Sequence, residues 1–265
     1  MKAISLGRSI PALAVLVCLA AGTALAADDP WLGTWKLDLA QSKLTGDTIT
    51  FTKNAKGYHF SDGSSDSYDF AIDGKEYPRG HDRTVTWTEV NDHTWDSMVT
   101  GGGEPPVKIH RELSADGKTL TNTVTGTRPD GSSLNDSTVW SRQSGGSGLV
   151  GKWKDVKTNQ GGPSTFVITS PAAGVYRWYY PEYKTSTEGK LDGSDLPVTG
   201  PGMAQGSTFS AKAAGPRKLT YTIKYHGKIE STGTQTVAPD GKSYTDVSWS
   251  PGKMNEKATA VYVKQ

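Results

Sequence analysis

The second half of this chain repeats the first. Gly33-Thr34-Trp35-Lys36 recurs as Gly151-Lys152-Trp153-Lys154, and Asp73-Gly74-Lys75-Glu76-Tyr77-Pro78 as Asp192-Gly193-Ser194-Asp195-Leu196-Pro197. Asp116-Gly117-Lys118-Thr119-Leu120-Thr121 recurs as Asp240-Gly241-Lys242-Ser243-Tyr244-Thr245. The order is kept and the offsets stay between 118 and 124. One small unit used twice must bury a core in each copy, which limits each copy to a modest single-domain architecture.

The copies are expected at 27–143 and 149–265. Between them lies a Gly/Ser linker, 144–148, within Gln143-Ser144-Gly145-Gly146-Ser147-Gly148, which reads as a flexible joint. Residues 1–26 read as a secretory signal peptide. Lys2 and Arg8 give a positive start, Ile10 to Ala21 is apolar except for Pro11, and Ala24-Leu25-Ala26 is a small-residue cleavage site. That predicts export to the periplasm or the exterior. The single cysteine, Cys18, lies inside this segment, so the mature chain is expected to hold no disulfide and no Cys metal site. Lys2 and Arg8 also leave with it, so 29 basic residues become 27, against 27 acidic ones. A neutral balance gives no reason to expect nucleic acid or an anionic membrane surface as a partner. No later apolar stretch is long enough for a transmembrane helix.

Period-two alternation dominates the copies. Thr48-Ile49-Thr50-Phe51-Thr52 places Ile49 and Phe51 on one face, and Thr84-Val85-Thr86-Trp87-Thr88 does the same with Val85 and Trp87. Leu219, Tyr221, Ile223 and Tyr225 share a face against Thr220, Thr222 and Lys224. This is the signature of half-buried strands. Asp-Gly pairs at 73, 116, 130, 192 and 240 supply the positive φ that tight hairpins require. The predicted fold is all-β: two tandem antiparallel meander barrels of about eight strands each, closed because a meander left open exposes its edges.

Each copy opens with Gly-x-Trp and closes with an aromatic two residues before a base, Trp140-Ser141-Arg142 and Tyr262-Val263-Lys264. In a closed meander the first and last strands are neighbours. Arg142 is therefore expected over Trp35 and Lys264 over Trp153, as structural residues that seal each barrel's end. This pairing resembles the calycins, the superfamily of lipocalins, fatty-acid-binding proteins and avidins. Trp35 to Lys43, Asp73 to Pro78 and Ser114 to Thr119 are similar to secreted bacterial lipocalin-like proteins. The resemblance implies lipocalin-type meander barrels and brings no established activity with it. The second copy keeps the frame but lacks the Leu-x-x-x-x-Ser-Lys pattern after its tryptophan.

Catalytic motifs are missing: no nucleophile elbow, metalloprotease helix, phosphate loop or dinucleotide fingerprint occurs. No catalytic residue, cofactor or metal is expected. One pair of elements, His81-Asp82 and Asp92-His93, would suit a divalent ion if a hairpin brought them together. The functional promise lies in the aromatics. Tyr58, Phe70, Trp87 and Trp95 in the first copy, and Tyr176, Trp178, Tyr180 and Tyr221 in the second, are the candidate ligand-binding residues. The primary reading is an exported, non-catalytic lipocalin-like protein holding a small apolar or aromatic ligand at a barrel mouth. Two alternatives stay open. One is a cell-envelope module with filled barrels that docks a protein or glycan. The other is a barrel-based hydrolase or isomerase without a recognisable motif.

Overall fold

The alternating segments become strands, and the turns fall where glycine and aspartate punctuate them. In Lys218–Tyr225, Leu219 and Tyr221 are buried while Lys218 and Thr220 face outward. The structure is a computed structural model that describes residues 29–64, 66–160 and 164–265. The signal-peptide segment read at 1–26 lies outside the described residues. In chain order the strands of the first half are β1 (Gly33–Leu37), β2 (Thr48–Asn54), β3 (Gly57–Ser61), β4 (Ser67–Phe70), β5 (Tyr77–Arg79), β6 (Arg83–Asn91), β7 (Thr94–Gly101), β8 (Val107–Leu113), β9 (Thr119–Thr127) and β10 (Ser133–Ser144). Those of the second half are β11 (Gly151–Asn159), β12 (Thr165–Ala172), β13 (Val175–Tyr180), β14 (Thr185–Gly189), β15 (Leu196–Pro197), β16 (Ser207–Gly215), β17 (Lys218–Tyr225), β18 (Lys228–Val237), β19 (Ser243–Trp249) and β20 (Ala258–Lys264).

They form two ten-stranded antiparallel sheets, ordered β4-β3-β2-β11-β10-β9-β8-β7-β6-β5 and β14-β13-β12-β1-β20-β19-β18-β17-β16-β15. Each sheet curls until its edges meet. In the second, Ser186 and Thr199 exchange backbone hydrogen bonds of 2.8 Å across the seam. In the first, Arg79 on β5 pairs with Asp66, just before β4, at 2.5 Å. The result is two nearly closed barrels. Each has ten strands among the described residues rather than about eight, because the seams are built from short pieces, β5 of three residues and β15 of two. No helix among the described residues is long and apolar enough to cross a membrane.

The barrels do not coincide with the two halves of the chain: they exchange their first strands. β11, from the second half, lies between β10 and β2, with Trp153 opposite Ile49 and Arg142. β1, from the first half, lies between β12 and β20, with Trp35 opposite Phe166 and Lys264. The division at 144–148 is thereby corrected. The first barrel takes 48–144 and 151–159, and the second takes 33–37 and 165–264. Loop length is the physical reason. Strands adjacent in sequence and joined by a short loop pair with each other. The loop between β10 and β11 spans only 145–150, so β11 turns back onto β10 and fills the slot that β1 would have taken. β1 then fills the equivalent slot in the other barrel.

The return path from β1 to β2, residues 38–47, is fastened at both ends. Asp38 N–H donates to Val261 O at 2.8 Å, and Lys43 and Thr259 exchange two backbone bonds of 2.7 Å. Asp155 N–H donates to Asp47 O at 3.0 Å on the first barrel. The linker is likewise a bonded structure and not a loose joint. The Arg142 guanidinium donates to the carbonyls of Gly146, Gly148 and Val150 at 3.0, 2.7 and 2.5 Å, and Leu149 is buried beneath them.

Each first-strand indole is covered by a base, but the expected pairs, Arg142 with Trp35 and Lys264 with Trp153, are corrected to Arg142 with Trp153 and Lys264 with Trp35. The Arg142 guanidinium lies 4.1 Å from the Trp153 ring, and Lys264 Nζ lies 5.1 Å from the Trp35 ring. Each indole N–H donates at 2.9 Å to the carbonyl four residues earlier, Leu149 or Trp31. The glycine of Gly-x-Trp is explained by the same contact. Gly33 and Gly151 have φ of +137° and +152°, and a Cβ on either would press on the crossing base, 2.6 Å from Lys264 Cε or 2.9 Å from Arg142 Nη1. The two barrels also touch directly: His81 Nε2 lies 2.6 Å from Glu230, and Tyr225 O–H donates to Asp82 at 3.2 Å.

Candidate functional site

The register of the two sheets aligns the barrels position by position, and the alignment explains why their interiors differ. Trp35 and Trp153 occupy equivalent places, so Phe51 matches Ile168, Phe60 matches Trp178, Tyr68 matches Thr187 and Phe70 matches Gly189. On the far side Trp87 matches Ala211 and Ser97 matches Tyr221. The first barrel thus places large rings at several positions where the second has Thr, Gly or Ala. Phe70 and Trp87 are fully buried and stack at 4.3 Å, with Phe51 edge-on to both.

The second barrel holds a cavity of about 360 Å³. Its walls carry Trp178 and Tyr180 from β13, Thr185 and Thr187 from β14, Phe209 from β16, Tyr221 and Ile223 from β17, Gln235 from β18 and Asp246 from β19. Val198, Gly202, Met203 and Tyr183 border it on the side that faces the first barrel's 101–103 turn across the 198–205 loop. The volume falls in the range of small-ligand sites, and the lining is predominantly aromatic and aliphatic with a few polar groups, as such sites have.

The polar groups converge. Tyr221 O–H donates to Asp246 Oδ1 at 3.0 Å, and Gln235 Nε2–H donates to Asp246 Oδ2 at 2.9 Å. Tyr221 reaches Asp246 across β18 because its cross-strand partner is Gly233. A Cβ there would stand 2.4–2.6 Å from the phenol ring. Burial raises the Asp246 carboxyl above its ordinary value, while bonds from Gln235, Tyr221 and Tyr244 pull it part of the way back. Asp246 nonetheless keeps some accessible surface, as a deep group does when it looks into a cavity. Burial, then the nearby Asp246 charge, also raises the Tyr221 phenol. Among the described residues no Lys or Arg pairs with Asp246. Three more polar atoms in the wall residues have no hydrogen-bond partner: Trp178 Nε1, Thr187 Oγ1 and Gln235 Oε1.

The equivalent positions in the first barrel carry different chemistry. Arg111 matches Gln235 and Asn122 matches Asp246. The Arg111 guanidinium donates to Ser97 Oγ at 2.6 Å and lies 4.1 Å from the Trp87 ring. Burial lowers its pKa to about 10. One barrel therefore buries a cation at this level and the other a carboxyl.

Of the sequence-predicted residues, the structure gathers Trp178, Tyr180 and Tyr221 in the cavity wall. Tyr176 shares their strand face but binds Asp29 through its hydroxyl at 2.6 Å. Phe70, Trp87 and Trp95 lie in the packed interior of the first barrel, and Tyr58 is half-buried against Phe70 at 5.4 Å. Trp178 is only 3 % exposed, so it cannot serve as an outward docking residue. The two His-Asp pairs are not brought together. His81-Asp82 and Asp92-His93 sit at opposite ends of β6, and among the described residues no cluster of three metal-ligating side chains occurs. Sequence reasoning missed Asp246 and Gln235. The signal was there: alternation places Asp246 on the same strand face as buried Tyr244, a charge at a core position. No protein-family model matches this chain, and no curated protein matches it.

Proposed function

We propose that this chain is an exported, lipocalin-like binding protein that holds a small apolar or aromatic ligand inside its second barrel, without catalysis. The observation that carries the reading is the 360 Å³ cavity walled by Trp178, Tyr180, Phe209, Tyr221 and Ile223. Burying a flat apolar body against these rings is worth about 25 cal/mol per Å² removed from water. The polar groups at its end orient the ligand. The first half of the chain completes the second barrel by supplying β1, while the first barrel is packed with its own rings. Titration of intrinsic tryptophan fluorescence with a panel of lipids and aromatic compounds tests this. A saturable change that disappears in Trp178→Phe is the expected result; no change in the wild-type protein across the panel refutes it.

A second reading draws on Asp246 and Tyr221. A carboxyl raised by burial, bonded to a phenol in an apolar cavity, is suited to moving a proton on a carbonyl substrate. Deuterium incorporation next to the carbonyl of ketones in D2O, lost in Asp246→Asn, is the expected signature of that activity.

A further inference from the structure

We propose that the ligand of the second barrel is an organic ammonium ion with an apolar body, seated with its N–H groups on Asp246 and Gln235 Oε1 and its body between Trp178, Tyr180 and Tyr221. The inference rests on the cavity being a binding site and adds the chemical class that it takes. Three observations converge. Asp246 is a carboxyl deep in an aromatic barrel whose partners, Tyr221, Gln235 and Tyr244, are all neutral donors. A buried carboxylate is strongly favoured by a cation that brings its own positive charge. Gln235 Oε1, beside it, is an acceptor without a partner, and an ammonium has more than one N–H to give. The rings around the cavity present faces, and a cation near an aromatic face gains electrostatically when desolvated.

On the opposite wall, four to six strands away in the sheet order, Trp178 Nε1 and Thr187 Oγ1 supply unpartnered donors. They suit a hydroxyl or ether oxygen at the far end of the ligand. The first barrel is an internal control. It has Arg111 and Asn122 where the second has Gln235 and Asp246, and a buried guanidinium repels an ammonium. One amine per chain is therefore expected.

The test uses three compounds with one body and different heads: 4-phenylbutylamine, 4-phenylbutanol and 4-phenylbutyrate. Calorimetric titration of the full chain at pH 7 is expected to show one site. The amine should bind at least about tenfold more tightly than the alcohol, because charge-assisted bonds are about twice as strong as neutral ones, and the acid most weakly. In Asp246→Asn the amine should fall to the level of the alcohol measured on the same variant. Equal or tighter binding of the alcohol or the acid by the wild-type protein overturns the ammonium assignment and leaves the binding site standing. An amine preference that survives in a folded Asp246→Asn variant overturns it as well. If none of the three binds, the cavity reading itself fails, and the assignment falls with it.

Discussion

Replacing Trp153 by alanine distinguishes the exchanged fold from two self-contained halves. Trp153 belongs to the second half of the sequence but to the core of the first barrel. Its ring is fully buried, its N–H holds Leu149 O at 2.9 Å, and Arg142 covers one face at 4.1 Å. A buried tryptophan hides about 150–250 Å², worth about 4–6 kcal/mol at 25 cal/mol per Å². Alanine keeps only the first carbon of that side chain. Measured losses for such changes are about 3–5 kcal/mol, and the lost cation–π contact adds about 0.5–2 kcal/mol. Against a typical domain stability of about 5–15 kcal/mol, the loss is large enough to open the affected barrel before the other. Hydrogen exchange read by mass spectrometry localises it. Trp153→Ala should strip protection from Thr48–Phe51 and Trp140–Ser144, while Phe166–Ile168 and Tyr262–Lys264 stay protected. Trp35→Ala should do the reverse. If Trp153→Ala instead exposes the segments around Phe166 and Tyr262 and spares β2, the strand exchange is wrong.

Three other perturbations carry definite expectations. Gly233→Ala places a methyl against the Tyr221 ring, so the phenol must leave Asp246. Stability should drop by about 1–3 kcal/mol, and the fluorescence response to ligand should weaken, both measurable in one urea series. Asp246 has a folded-state pKa raised above its ordinary 3.8. Its contribution to stability is therefore greatest below that value and is lost as pH rises through the folded value. Asp246→Asn, with Gln235 turned to offer its oxygen, should melt above the wild-type protein at pH 7, and the advantage should vanish below 3.8; an advantage that grows on acidification contradicts the burial argument. Arg142→Ala frees the carbonyls of Gly117, Gly146, Gly148 and Val150. The 145–150 loop should then become the first site of limited proteolysis, and an unchanged cleavage map would show that the guanidinium does not hold it.

The candidate site was partly legible in the sequence. Alternation put Tyr221 and Trp87 on apolar faces, and aromatic content added Trp178, Tyr180 and Phe70 to the candidates. Neither could tell which rings line a space and which fill one. That depends on the volumes facing each other across the barrel. Thr187 and Ala211 stand where the other copy has the larger Tyr68 and Trp87, whereas the space over Gly189, the counterpart of Phe70, is taken by Leu196. Gln235 and Asp246 become meaningful only once β18 and β19 are known to border the cavity.

By itself the sequence determined the local rules: period-two strands, Asp-Gly turns, two copies, and a Gly-x-Trp that needs a base laid over it. These follow from backbone sterics and from the amphipathic faces of short segments, which neighbours in sequence already specify. Only the tertiary structure decided whose tryptophan meets whose base. Both copies offer an equivalent slot beside a matching strand, so side-chain pattern leaves the pairings nearly degenerate. The six residues at 145–150 break the tie, because a chain that short turns back on its own last strand before it can reach any other.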